Sequence, residues 1–116
     1  MPLVKKKISP TKTREILLQA LYQKEISDIS NTNLINQFKK AYREFDISNV
    51  AENLRGINKN NDSLNKSIAD NSSIEIKSIG EIEISILRQS IFEIENSDID
   101  YPIVINEAIK LSLIHI

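Results

Sequence analysis

Apolar residues along this chain recur mostly at three- and four-residue steps, the spacing that lines one face of an α-helix. In SPTKTREILLQALYQKE the stripe is Ile16, Leu17, Ala20 and Leu21. Ser9 or Thr11 can accept the first free N–H groups and Pro10 suits the opening turn, so a helix is predicted over 12–25. SDISNTN, at 27–33, is rich in cap and turn formers and reads as a loop. Leu34, Ile35, Phe38, Ala41, Tyr42 and Phe45 then predict a second helix over 34–45. Val50, Leu54, Ile57, Leu64 and Ile68 predict a longer third one ending near Ala69, opened by Asn49 and Glu52 as a capping box. Gly56 interrupts it at a cost of about 1 kcal/mol relative to Ala. It reads as a tolerated glycine, with close approach of another helix as the alternative.

The stretch SIEIKSIGEIEISILRQSIFEIEN, 73–96, obeys two periods at once. From Ile74 to Ile86 the isoleucines mostly sit two apart, as in a half-buried strand, whereas Ile84, Leu87, Ile91 and Ile94 fall at helical spacing. As strands, IEIK and EIEISI would turn over Ser78, Ile79 and Gly80. As a helix, Ser78 and Glu81 would form a second capping box. A lone two-stranded ribbon is marginal in water, and nothing else in the chain offers a strand to extend it. The helix is therefore predicted, over 80–95. In DYPIVINEAIKLSLIHI, Asp100 is a candidate N-cap, Pro102 suits the first turn, and Ile105, Ala108, Ile109 and Ser112 repeat on one side.

Composition agrees with an all-α fold. Two Gly, three Pro and 5% aromatics supply few hairpin turns but do not hinder helices. The 116 residues have room for one compact domain. The basic opening MPLVKKKISP is followed by no apolar core of signal-peptide length, and no later stretch could span a bilayer. A soluble cytoplasmic protein is expected, with no membrane association.

Charge adds a direction to this picture. Lys5, Lys6, Lys7, Lys12 and Arg14 precede any acid, so the first fourteen residues carry +5 and the remainder of the chain, whose total is -1, carries -6. A basic arm on an acidic body points to an anionic partner, and the alternative is a solvated tail. Lys12 and Arg14 at a helix start can reach successive phosphates, and Tyr22, further along the same helix, offers a ring on which an unpaired base can stack. The competing account makes Tyr22 part of the core and the lysines solvent decoration.

Catalytic chemistry is poorly supplied. Cysteine is absent, and His115 is the sole histidine, which leaves neither a metal cluster nor a histidine-activated nucleophile. Glu81 and Glu83, like Glu93 and Glu95, are two apart and diverge on a helix. With only Gly56 and Gly80 in the chain there is no phosphate-cradling glycine loop. No enzyme, cofactor or metal is expected.

Three ordered stretches resemble the NusB family of bacterial transcription antitermination factors. TREILLQALYQKE is similar to that family's opening pattern at Arg14, Glu15, Gln19, Ala20, Leu21 and Tyr22. IEISILRQSIFEI is similar at Glu83, Leu87, Arg88 and Glu93, with Phe92 where tyrosine is usual. INEAIKL matches at Ile105, Asn106, Glu107, Ala108, Ile109 and Leu111, while 26–76 is only weakly alike. The resemblance implies an all-α domain of two small helical sub-bundles over 12–116, preceded by a flexible basic arm at 1–11. It implies a partner, the ribosomal protein NusE, with which such a protein holds single-stranded boxA RNA within the RNA polymerase antitermination complex. Terminators, notably those in ribosomal RNA operons, are then read through.

Carried over residue by residue, the resemblance places Lys12 and Arg14, with Lys5, Lys6 and Lys7, on the RNA-binding arm and Tyr22 beside it. It places Glu83 on the NusE-facing side, and Arg88 and Glu107 as internal polar anchors that pair with each other or with Glu93. Two departures stand out. The arm is lysine-rich, with Thr11 and Thr13 where the family often has arginine and alanine, so bidentate phosphate contacts are fewer. The family also continues into a final helix carrying F-V-N-G, where this sequence runs into SLIHI. The resemblance therefore implies a C-terminally truncated chain lacking the last helix, with Leu87, Ile91 and Ile109 partly uncovered and a homodimer through that apolar surface as one consequence. Two rival readings are the N-terminal NusB-like domain of a ribosomal RNA cytosine methyltransferase and a helical interaction module that binds no RNA.

Overall fold

A computed structural model describes residues 4–71, 75–98, 100, 102–104 and 106–108. Five helices are assigned there: α1 Pro10–Ile26, α2 Asn31–Ala41, α3 Ser48–Lys59, α4 Asn61–Asp70 and α5 Glu81–Asn96, with a 3-10 turn at Ile76–Ser78. Residues 102–104 and 106–108 are also helical. Among the described residues there is no strand, only an isolated parallel bridge between Lys6 and Phe45. The fold is all-α, and the helical period of the isoleucine-rich segment prevails from Glu81 onward. Of the residues singled out above, Ile74, Ile105, Ile109, Leu111, Ser112 and His115 lie outside the described set.

The chain divides into two compact units, Met1–Arg55 and Gly56–Ile116, with the boundary inside α3. In the first, Ser9 caps α1 by accepting the Lys12 N–H at 3.1 Å, with Pro10 opening the helix. Ile16, Leu17, Leu18, Ala20 and Leu21 are buried. Ala20 of α1, Leu34, Ile35 and Phe38 of α2, and Ile47, Val50, Ala51 and Leu54 around α3 surround one void of about 10 Å³. A space of that size holds one water at most. The three apolar stripes thus close on one another. Two side-chain hydrogen bonds tie α1 to α2 at the surface: Gln23 Nε2 to Gln37 Oε1 at 3.1 Å, and Tyr42 Oη to Gln19 Oε1 at 3.1 Å.

In the second unit α4 packs on α5 and on the 3-10 turn. Ile57, Leu64, Ile68, Ile84, Ile86 and Val104 are buried. Arg88, almost buried, donates from Nε to Asn65 Oδ1 at 2.9 Å. Leu87 and Ile94 of α5 remain 39% and 41% exposed. Leu87 and Ile91 line a groove with Ser67, Ile68, Asn71 and Glu95.

Several boundaries differ from the sequence expectation, each for a local reason. The single long third helix is two helices. Asn60 breaks it, its N–H shared between the Gly56 and Ile57 carbonyls and its Nδ2 donating to Gly56 O at 2.7 Å. The helix α3 opens at Ser48, so Asn49 lies inside it and does not cap it; the Asp46 carboxylate instead accepts the Ser48 N–H at 2.9 Å. Ser78 closes the 3-10 turn, and Gly80 rather than Ser78 precedes α5 as N-cap. Part of the expected loop is helix, because Ser30 accepts the Asn33 N–H at 3.2 Å and starts α2 at Asn31. The second helix also ends early, at Ala41, where Tyr42 leaves helical geometry and Phe45 turns to meet Lys6.

Gly56 is not merely tolerated. A methyl group there would sit 2.5 Å from Cζ of Phe92, so the ring of α5 occupies the space that a side chain on α3 would need.

Candidate nucleic-acid interface

The helix α1 is buried over more than half of its circumference. At 100° per residue, Lys12, Glu15, Gln19, Tyr22 and Ile26 share the remaining arc, and all are exposed or half-buried. Lys12 and Tyr22 are ten residues apart on this arc, or about 15 Å along the axis at 1.5 Å per residue. Tyr22 is 36% exposed. Lys12 lies 3.6 Å from Glu15 Oε2, an exposed pair that holds little energy and releases its cation readily.

Arg14 is placed otherwise. It is 8% exposed and belongs to the buried side of α1, roughly opposite Lys12 on the helix. Of the residues that the sequence places on an RNA-contacting surface, the structure leaves Lys12 and Tyr22 exposed along α1 and buries Arg14 on the side away from Lys12.

Backbone pairing governs the arm. The Lys6 N–H donates to Glu44 O at 2.8 Å, and Lys6 O accepts the Asp46 N–H at 2.8 Å. Lys5, Lys6 and Lys7 are all exposed, so their ammonium groups project from a segment whose path is fixed at its middle residue. Asp46 registers that neighbourhood. Its carboxyl is held below its ordinary 3.8, first by the side chain and backbone of Ser48 and further by the charges of Lys5 and Lys7.

Glu83 is exposed in the first turn of α5, and its carboxylate folds back over Gly80, where a side chain at residue 80 would strike it. That position favours an acid whatever it meets outside, because the N-terminal end of a helix carries partial positive charge. For Arg88, sequence reasoning named Glu107 and Glu93 as partners and missed Asn65, which sits one helix away on α4. Nothing in local spacing links residues 65 and 88.

Among the described residues no group of three His, Cys, Asp or Glu side chains is placed to hold a metal ion. No described helix is long and apolar enough to cross a membrane.

The surface therefore offers a pinned row of lysines, a further lysine at a helix start and a half-exposed tyrosine on one helical arc. Comparison with known proteins agrees with what these residues resemble. The NusB family model matches residues 11–113. A transcription antitermination protein NusB of Buchnera aphidicola subsp. Baizongia pistaciae is 38% identical over 104 residues, covering 87% of this chain and 72% of that protein. Proteins of the same name from Yersinia enterocolitica and Yersinia pestis are 33% identical over 104 residues, covering 87% of this chain and 75% of theirs. With the match spanning nearly all of α1 to α5 and the motifs in order along it, the chain belongs to the NusB family.

Proposed function

We propose that this chain is a transcription antitermination factor which, with the ribosomal protein NusE, holds single-stranded boxA RNA and promotes processive transcription of ribosomal RNA operons. One observation carries the reading: in a member of the NusB family, Lys12 and Tyr22 share the exposed arc of α1 that directly follows the pinned lysine arm. Phosphates along an extended strand meet Lys5, Lys6, Lys7 and Lys12, and an unstacked base lies against Tyr22. Arg14, being buried, serves as a positioning residue that fixes the start of α1 beneath Lys12. Glu83 faces NusE at the start of α5. The work is binding alone, within the cytoplasmic polymerase complex, and no bond is made or broken.

The test is a fluorescence-anisotropy titration of a labelled boxA-like RNA at several salt concentrations, with and without purified NusE. Wild-type affinity should fall steeply with salt and rise with NusE. Replacing Lys5, Lys6, Lys7 and Lys12 by Ala should flatten the log-log slope by about 0.7 for each phosphate contact removed. Binding that is absent, or indifferent to salt and to these four replacements, overturns the proposal and leaves a helical interaction module.

A further inference from the structure

The turn after α2 brings a second set of cations to the arm. Val4, Lys5 and Lys6 line one groove with Arg43 and Glu44, and Lys40, Arg43 and Glu44 line the next with Phe45. Arg43 thus borders both. The backbone hydrogen bonds of Lys6 to Glu44 and Asp46 hold the two segments side by side, so their relative position is fixed within the unit.

Counting every charged group of this ledge, Lys5, Lys6, Lys7, Lys40 and Arg43 stand against Glu44 and Asp46. The balance is +3 on a short stretch of surface, and all seven side chains are exposed. The Asp46 carboxylate is already engaged by the Ser48 N–H. Cations spread along two adjacent chain segments suit a linear polyanion better than a compact one, since each successive phosphate finds its own partner. Arg43 adds the planar fork that the lysine arm lacks, and a fork of that kind can hold a phosphate through two bonds at once.

We infer that this ledge is a further phosphate-binding stretch for single-stranded RNA, in which Arg43 and Lys40 extend the track of the arm and Lys12 away from α1. The inference rests on the RNA-binding reading above. It enlarges the basic surface beyond the arm that the sequence singled out, because KKAYREF sits within a mixed run of charges and is not a basic block.

The test uses the full chain carrying Lys40→Ala and Arg43→Ala together, titrated with boxA-like RNA over a range of salt. A control carries the same loss of charge elsewhere, Lys59→Ala with Lys66→Ala, two exposed lysines outside the Met1–Arg55 unit. Matching circular dichroism melts establish that both variants fold. The expected result is a slope lowered by about 1.4, two contacts at about 0.7 each, in the first variant and unchanged in the control. Lys40→Arg with Arg43→Lys should restore it. A slope unchanged by the first variant while the arm replacements still lower it overturns the ledge and leaves the RNA-binding reading standing. An equal drop in both variants overturns it too, as a bulk charge effect. In a parallel titration with polyglutamate, binding lost in the first variant while its RNA binding stays intact overturns the inference in favour of an acidic protein. Should the wild-type chain bind no RNA, both readings fall together.

Discussion

The units Met1–Arg55 and Gly56–Ile116 carry opposite charge. In the first, ten Lys and Arg stand against six Asp and Glu, for +4; in the second, five stand against ten, for -5. The net -1 of the chain hides this division entirely. A polyanion is attracted to one unit and repelled by the other, so the proposed RNA contact is confined to the first by its electrostatic field as well as by local residues. The packing differs in the same sense. Around α1 the apolar stripes close on one another with a void of about 10 Å³. On α5, by contrast, Leu87 and Ile94 stay exposed and an apolar groove runs past Ile68 and Ile91. The first unit is closed inside and exposes Val4 and Ile26 singly, near the ends of its first segments, while the second presents a partly apolar groove beside Glu95.

The largest expected effect tests the packing side of that contrast. Leu34 is fully buried, and Leu34→Ala should cost about 2 to 5 kcal/mol through lost transfer energy and the cavity left behind. Leu87→Ala, at an exposed position on α5, should stay within about 1 kcal/mol because little contact is lost. Urea unfolding of the two variants measures both values. Equal costs would mean that the α5 face is as well covered as the interior of the first unit.

Next comes the buried cation of the acidic unit. Asn65→Ala takes from the Arg88 guanidinium one acceptor, at 2.9 Å, in surroundings where water reaches poorly. A loss of about 1 to 3 kcal/mol is expected, and Asn65→Asp should retain most of the stability by keeping an acceptor in place. If Asn65→Ala melts like wild type, this hydrogen bond is incidental to the unit.

Gly56→Ala is expected to cost less. Crowding Phe92 should destabilise by about 1 to 3 kcal/mol, but alanine returns up to about 1 kcal/mol of helix propensity in α3. Combining it with Phe92→Leu should recover much of the loss, and that coupling, read from a double-mutant cycle, distinguishes a packing clash from a general dislike of substitution. Additive effects would show that the two residues do not meet.

These residues also show what the sequence could and could not disclose. The stripes of α1 and α2 were legible because burial repeats with the turn of the helix, whereas the exposure of Tyr22 was not, because a tyrosine beside an apolar stripe serves equally as core or as surface. The break at Asn60 was hidden for the same reason: Leu54, Ile57, Leu64 and Ile68 stay in phase across it, so periodicity reports one helix. The burial of Arg14 was hidden because an arginine reads as surface, although its long stem lets it lie against an apolar interior. Contacts such as Lys6 with Glu44 and Asp46, and Arg88 with Asn65, join residues far apart in sequence. Hydrogen-bonding capacity is written in the residue types, but partner choice is set only by the folded backbone.

The smallest effect probes the charged side of the contrast through Asp46. Its folded-state pKa lies below 3.8, so its ionised form stabilises the fold fully above that value, and this contribution is lost as pH falls through the lower folded value. Asp46→Asn should therefore leave a variant whose stability falls less steeply at the acid end, seen in acid unfolding followed by circular dichroism. Because the Ser48 side chain is the largest single cause and Lys5 and Lys7 are each smaller ones, Ser48→Ala should raise the Asp46 pKa more than Lys5→Ala or Lys7→Ala alone does. Titration of the carboxyl carbon by NMR separates these cases. The same signal reports on the ledge: phosphates that draw Lys5 and Lys7 to themselves also place negative charge beside Asp46, and both changes raise its pKa when RNA binds. A carboxyl that titrates identically with and without saturating RNA would place the bound strand away from the arm, and the cationic unit would lose the role its charge assigns to it.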